Sequence, residues 1–268
     1  MLRDITLGQY YRTESVIHKL DPRVKLVATF AFIVSLFLVK NFIGYVIAFL
    51  FLALCVKLSN VPPRFIFRGM KAIFFLLILT MVFNLFLTPG DPLVTVWKFK
   101  ITKEGIRLAF MMGIRLVFLI TGSSLMTLTT TPNNLTDGLE SLLKPLKKVH
   151  VPVHEISMMM SIALRFIPIL MEETDKIMKA QMARGADFES GSLMTRARSL
   201  VPLLVPLFIS AFRRANDLAM AMESRCYRGG EGRTKMKPLI YQSHDYIAYI
   251  AILAYLVLIV VFGRILFV

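Results

Sequence analysis

Two short arginine motifs carry the clearest chemical signal in this chain. Ala183-Arg184-Gly185, within QMARGADF, lies 41 residues before Ser224-Arg225-Cys226, within ESRCYRGG. At that offset Ala180 aligns with Ala221, Ala183 with Ser224 and Arg184 with Arg225. A small residue, an arginine and another small residue thus close two predicted helices. A guanidinium offers five donors in a planar fork and suits bidentate recognition of a carboxylate. Small neighbours let a partner's surface close around it. An arginine in a last turn also gains about 0.3–1 kcal/mol from the helix dipole, so each position has a purely local use as well.

Other chemistry is weakly supported. His150 and His154 flank Pro152, with Glu155 next, which reads H-x-x-x-H-E and not the H-E-x-x-H of zinc peptidases. Pro152 is expected to start a helix and leave His150 outside it, so no metal site is assigned. The sequence holds no G-x-x-x-x-G-K-[ST] to cradle phosphates. It holds no membrane-embedded aspartate pair and no nucleophile–base constellation, so an enzyme reading has little to stand on. Gly229-Gly230-Glu231-Gly232 reads as a turn. Cys55 sits in an apolar run and Cys226 in a basic one, which makes neither a disulfide framework nor a zinc site.

The elements that must position the arginines follow from composition. Of 268 residues, 56% are hydrophobic and 18% charged, and the mean hydropathy is +0.65. Soluble domains carry about 45–50% apolar and about 25% charged residues, so much of this apolar surface must face lipid. The net charge of +15 comes from 32 Lys+Arg against 17 Asp+Glu. The basic residues sit between apolar runs, which favours the positive-inside rule over nucleic-acid binding. The first 23 residues lack an apolar h-region, so no cleavable signal peptide is expected.

A spanning helix needs about 20 apolar residues. Ile106–Leu128 and Tyr246–Val268 are the clearest cases. Ala72–Leu87 is shorter, but Arg68 and Lys71 are placed to snorkel and lengthen it. The run Val24–Val56 is interrupted at Lys40-Asn41. Two helices with a tight turn are expected there, because one long helix would hold Lys40 near mid-bilayer at about 2.5–3.5 kcal/mol. The result is five spans. With the N-terminus inside, 25 Lys/Arg fall on the inner side and 5 on the outer, with Arg107 and Arg115 in the fourth span. That asymmetry predicts an N-in, C-out topology. Arg107 is expected at the outer interface. Arg115 lies deeper and should meet an ion-pair partner or a carbonyl within the protein.

The inner segment 129–244 is too long for a plain loop. Thr131 followed by Pro132 suits an N-cap and first turn, and a short helix should run to about Leu143, before Pro145. Two longer helices are expected near 154–182 and 195–223, apolar in their first halves and charged in their second. Internal prolines at Pro168, Pro202 and Pro206 imply bends. Both helices are read as tilted, starting in the membrane or against other spans and ending in the cytoplasm. Met158, Met159 and Met160 add an adaptable apolar surface. The resulting division is 1–128 as membrane domain, 129–244 as cytoplasmic coupling domain, and 245–268 as the final span. The fold class is all-α, a polytopic membrane protein with about five transmembrane helices plus long cytoplasmic helices.

With its two arginine motifs, HKLDPRVKL near the start, TTTPNNLTDGLESLL and ALRFIPILMEE, the chain resembles the transmembrane (T) component of energy-coupling factor (ECF) transporters. These are ATP-binding-cassette importers of vitamins and metal ions. The resemblance covers essentially the whole chain, and Ser-Arg-Cys departs from Ala-Arg-Gly at the second motif. It implies a cell-membrane scaffold that binds no cofactor itself, with ATP and Mg held by two partner ATPase subunits. Ala183, Arg184 and Gly185, and Ser224, Arg225 and Cys226, would dock those ATPases. A substrate-binding S subunit would rest on the other face, with Met158, Met159, Met160, Leu164, Leu203 and Leu207 as contacts. Nucleic acid is not an expected partner. An autonomous secondary transporter or channel is the alternative, and it would need an intramembrane polar pathway.

Overall fold

The computed structural model describes residues 10–39, 41–71, 73–89, 92–96, 99–188, 192, 194, 198–230, 232 and 234–265. In chain order the helices are α1 (Val16–Lys19), α2 (Pro22–Leu38), α3 (Phe42–Ser59), α4 (Pro63–Lys71) and α5 (Phe74–Leu87). A two-stranded antiparallel hairpin follows, β1 (Pro92–Val96) with β2 (Phe99–Thr102). Then come α6 (Lys103–Thr129), α7 (Pro132–Leu143), a 3-10 turn at Lys144–Val149, α8 (Val153–Ala183), α9 (Val201–Ser224) and α10 (Ser243–Ile265). The hairpin is the one non-helical addition to the expected all-α fold among the described residues. Its β-branched, alternating sequence explains it.

The chain is a multi-pass membrane protein. Among the described residues four helices, α3, α6, α8 and α10, are long and apolar enough to cross, and α4 with α5 forms a pair bent by 62° that qualifies jointly. At 17 residues, α2 spans about 26 Å at 1.5 Å per residue. The expected pair of helices in Val24–Val56 is present: α2 stops at Leu38 and α3 starts at Phe42. Lys40, Ala72, residues 195–197 and residues 266–268, on which parts of the expected boundaries fall, lie outside the described residues. By length and hydropathy α8 also qualifies as a crossing, where the sequence reading saw no clean span. Its apolar first half supplies the hydropathy, and the charged stretch from Glu172 follows it.

Two compact units emerge, one of Gly8–Leu142 with Leu239–Val268, the other of Leu143–Pro238. In the first, α6 is central and packs on α2, α3, α4 and α5. Small residues on α6 allow this: a Cβ at Gly122 would meet the Phe32 ring at 2.9 Å. The core gathers Phe32, Leu36, Tyr45, Ala48, Leu52, Phe118, Tyr255 and Ile259. Inside it the Ser35 and Tyr255 hydroxyls are 2.8 Å apart, so the two buried polar groups satisfy each other. Large apolar side chains such as Phe30, Phe75 and Leu253 point outward, as lipid-facing residues must.

Arg115 behaves as the sequence required. Its Nη2 donates to the Val39 carbonyl at 3.3 Å and its Nε to the Tyr45 hydroxyl at 3.2 Å. It thereby satisfies a backbone acceptor freed where α2 ends. Arg107 is exposed in the second turn of α6.

The HKLDPRVKL segment ties three helices together. Asp21 caps α2 by accepting the Arg23 N–H at 2.8 Å, and its carboxylate holds the Arg23 guanidinium at 2.8 Å. Arg23 lies over the Tyr241 ring and donates to the Leu239 carbonyl. Buried Asp245 accepts the backbone N–H groups of Asp21 and Gln242, each at 2.8 Å. Lys25 Nζ donates to the carbonyls of Thr129 and His18. The start of α2, the end of α6 and the start of α10 are thus one junction. Beside it, Thr131 Oγ1 accepts the Asn134 N–H and opens α7, as expected.

Candidate functional site

The second unit consists mainly of α8 and α9, and three contacts fix how they pair. Gln181 Nε2 donates to the Pro202 carbonyl at 3.5 Å, Arg214 Nη2 meets Glu173 Oε2 at 3.2 Å, and Tyr227 Oη meets Met158 Sδ at 3.1 Å. As the position on α8 falls, its partner on α9 rises, so the helices run antiparallel. Pro202 occupies the first turn of α9, where a missing N–H is harmless, so it does not bend the helix as expected. Pro168 and Pro206 do lie inside their helices. The described start of α9 is Val201, later than 195, while its end at Ser224 is within a residue of the expectation.

Both arginine motifs end their helices in the same way. Arg184 is the C-cap of α8, the Gly185 N–H donates to the Met182 carbonyl at 3.0 Å, and the Ala186 N–H reaches the Gln181 carbonyl at 3.0 Å. Arg225 is the C-cap of α9, the Cys226 N–H donates to the Glu223 carbonyl at 2.9 Å, and the Tyr227 N–H reaches the Met222 carbonyl at 3.1 Å. This is the Schellman arrangement twice over. It demands a left-handed residue just after the arginine. Gly185 supplies it at φ 88° and Cys226 at φ 55°. Glycine takes that conformation freely, whereas an L side chain does so at a cost of roughly 1–2 kcal/mol. The substitution of Cys for Gly in the second motif therefore stores strain without changing the cap.

Arg184 and Arg225 are both exposed, as are Ala183, Gly185, Ser224 and Cys226. Among the described residues neither guanidinium makes a hydrogen bond or ion pair within the chain. Because the helices are antiparallel, the motifs lie at opposite ends of the pair. Eleven residues separate Glu173 from Arg184, and eleven separate Arg214 from Arg225.

The second motif is tied to the first turns of α8. Besides the Tyr227–Met158 contact, Gly230 packs so closely on His154 that a Cβ there would run into the imidazole. Gly229 and Gly232 adopt positive φ, which fits the expected turn, and Glu231 lies outside the described residues. His150 lies outside α8 in the left-handed region at φ 61°, so the two histidines are held by different backbone.

Of the apolar candidates, Met159 and Met160 are exposed, Met158 and Leu164 are half-buried, Leu207 is half-buried and Leu203 is buried within the chain. A broader apolar feature lies on α9, beyond the residues expected from the sequence. Leu204, Val205, Phe208, Ile209 and Phe212 form an exposed apolar face on α9. Their i, i+4, i+8 spacing is visible in the sequence and marks one helix face. A cleft of about 300 Å³ lies between the helices, lined by Ile162, Phe166, Leu170, Ala211, Ala215 and Met222 among others.

The CbiQ family, described as cobalt transport protein, matches residues 13–236. An energy-coupling factor transporter transmembrane protein EcfT from Clostridium kluyveri is 57% identical over 250 residues, covering 92% of this chain and 93% of its own length. The EcfT protein of Thermosediminibacter oceani is 57% identical over 250 residues, with 93% and 94% coverage. That of Bacillus subtilis is 48% identical over 246 residues, with 91% and 93% coverage. The chain belongs to the EcfT/CbiQ family of energy-coupling factor transporter transmembrane components.

Proposed function

We propose that this chain is the non-catalytic transmembrane scaffold of an ECF-type importer, and that Arg184 and Arg225 are the points at which two ATPase subunits hold it. In this role it converts ATP binding and hydrolysis on those subunits into reorientation of a substrate-binding S subunit. The observation that carries the docking assignment is the repeated cap: two exposed arginines, set in the same pattern of cap hydrogen bonds, at opposite ends of an antiparallel helix pair. Such a pair meets two like subunits side by side more naturally than one. Each arginine would take a carboxylate of its ATPase.

The remaining assignments follow from that role. ATP and Mg belong to the ATPases. Residues 1–128 and 245–268 form the membrane domain and 129–244 the cytoplasmic coupling domain, with the N-terminus inside and the C-terminus outside. The S subunit rests on the methionine-rich start of α8, with Met158, Met159, Met160, Leu164, Leu203 and Leu207, and on the apolar face of α9. As an autonomous transporter the chain would need free intramembrane polar groups, yet Arg115 and Asn84 are both committed to neighbouring groups.

The test uses the whole complex. Arg184→Ala and Arg225→Ala should each weaken ATPase co-purification, because truncating one partner of a buried charge pair costs about 2–5 kcal/mol. Arg→Lys should weaken it less, since the charge remains but the planar fork is lost. Unchanged co-purification and uptake in the double Ala variant would end the docking assignment.

A further inference from the structure

The 41-residue offset that relates the two arginines also relates Glu173 to Arg214, which form an ion pair at 3.2 Å. When two antiparallel helices are related by a local two-fold, only residues on the axis touch their own equivalents. Elsewhere the relation is only approximate: Gln181 lies against Pro202 at one end, and at the other Met222, the equivalent of Gln181, lines a cleft with Ile162, the neighbour of Pro202's equivalent Ser161. We infer that the Glu173–Arg214 pair is the fulcrum of the α8–α9 lever, a pair of positioning residues that holds the crossing point about which the two arginine tips move during the transport cycle. The inference rests on the docking role proposed above for Arg184 and Arg225.

Three features make the ion pair the controlling contact. The arms are equal, eleven residues or about 16 Å each along the helix. The packing around the pair is thin on one side, because α9 carries Ala211, Ala215 and Ala219 where α8 carries Leu170, Thr174 and Met178. The cleft opens against those alanines. The ion pair is partly buried, Arg214 lines the apolar cleft, and its Nε is buried without a hydrogen-bond partner. With little side-chain interlock beside it, the guanidinium–carboxylate contact sets the helix relation. It also leaves the arms free to swing about it. An ion pair keeps its attraction through small changes of angle, which interdigitated apolar packing does not.

The test uses the assembled complex of chain, ATPases and S subunit in liposomes. Glu173→Gln and Arg214→Gln should leave ATPase co-purification at its normal stoichiometry and lower substrate uptake per ATP hydrolysed by about fivefold or more, the lower end of a typical coupling free energy. The reciprocal exchange, Glu173→Arg with Arg214→Glu, should restore uptake per ATP to within about twofold of the parent. Spin labels attached through a genetically encoded ketone amino acid at the exposed, 41-related sites Lys179 and Met220, which leaves Cys226 in place, should show a broadened distance distribution in the single variants and a sharp one in the exchange. Single variants with normal uptake per ATP, or an exchange no better than either single variant, would overturn the fulcrum assignment. Loss of co-purification in Glu173→Gln would overturn it too, by making the pair part of docking. The docking assignment stands or falls separately, on Arg184→Ala and Arg225→Ala.

Discussion

Replacing Cys226 with Gly should strengthen the cap that presents Arg225. Cys226 holds φ 55° in the left-handed region and is exposed, so the substitution removes backbone strain without deleting a buried contact. Relief of that strain is worth roughly 1–2 kcal/mol. Glycine's greater freedom in the unfolded chain offsets about 0.5–1 kcal/mol of it. The net gain is about 0.5–1 kcal/mol, a two- to fivefold shift in local opening. Amide hydrogen exchange reads it directly at Tyr227, whose N–H closes the cap on the Met222 carbonyl. Gly185→Ala is the mirror experiment. No atom lies within 4 Å of a Cβ added there, so any effect comes from its φ of 88° alone. The Ala186 amide should then exchange several times faster. If Cys226→Gly left Tyr227 unchanged or less protected, the shared cap geometry, and with it the equivalence of the two motifs, would be refuted.

Three further outcomes follow. Arg115→Met should destabilise the membrane unit by about 1–3 kcal/mol, because the carbonyl of buried Val39 loses a charged donor; a thermal shift in detergent measures it. Gly230→Ala should displace the His154 ring, loosen the segment after Arg225, and reduce co-purification of the ATPase bound there more than that at Arg184. For His18, burial leads in lowering its pKa below 6.5, and its ring nitrogens contact the Tyr11 carbonyl and Ser15 Oγ. A lowered folded pKa means that the stability contributed by burying the neutral ring is fully present above pH 6.5 and is lost as pH falls through the folded value. Protection of the Tyr11 amide, bonded to the Leu128 carbonyl, should accordingly drop in acid and stay flat between pH 7 and 8.

Local signals in the sequence were read well where the physics is local. The polar interruption at Lys40-Asn41 parted α2 from α3, Thr131-Pro132 opened α7, and the helix ends at Ala183 and Ser224 fell within a residue of expectation. The intramembrane Arg115 could be assigned a protein partner on desolvation cost alone, though not which carbonyl. What stayed hidden depends on contacts distant in sequence. The 41-residue offset was visible as an echo between arginines, yet nothing local says that Glu173 meets Arg214 at that same offset. Nor does a local pattern reveal that Asp245 closes on the Asp21 backbone across more than two hundred residues. Pro202 was misplaced for a related reason: a proline reads as a kink or as a first turn only once the helix start is known.

The central claim is that the two arginine tips are the handles through which ATPases drive this scaffold. A high-resolution map of the chain assembled with its ATPases and S subunit tests it most directly. Each guanidinium should be seated against an acidic side chain of a different ATPase subunit, within hydrogen-bonding distance. Both tips standing free in solvent, with the ATPases gripping α8 and α9 elsewhere, would contradict it.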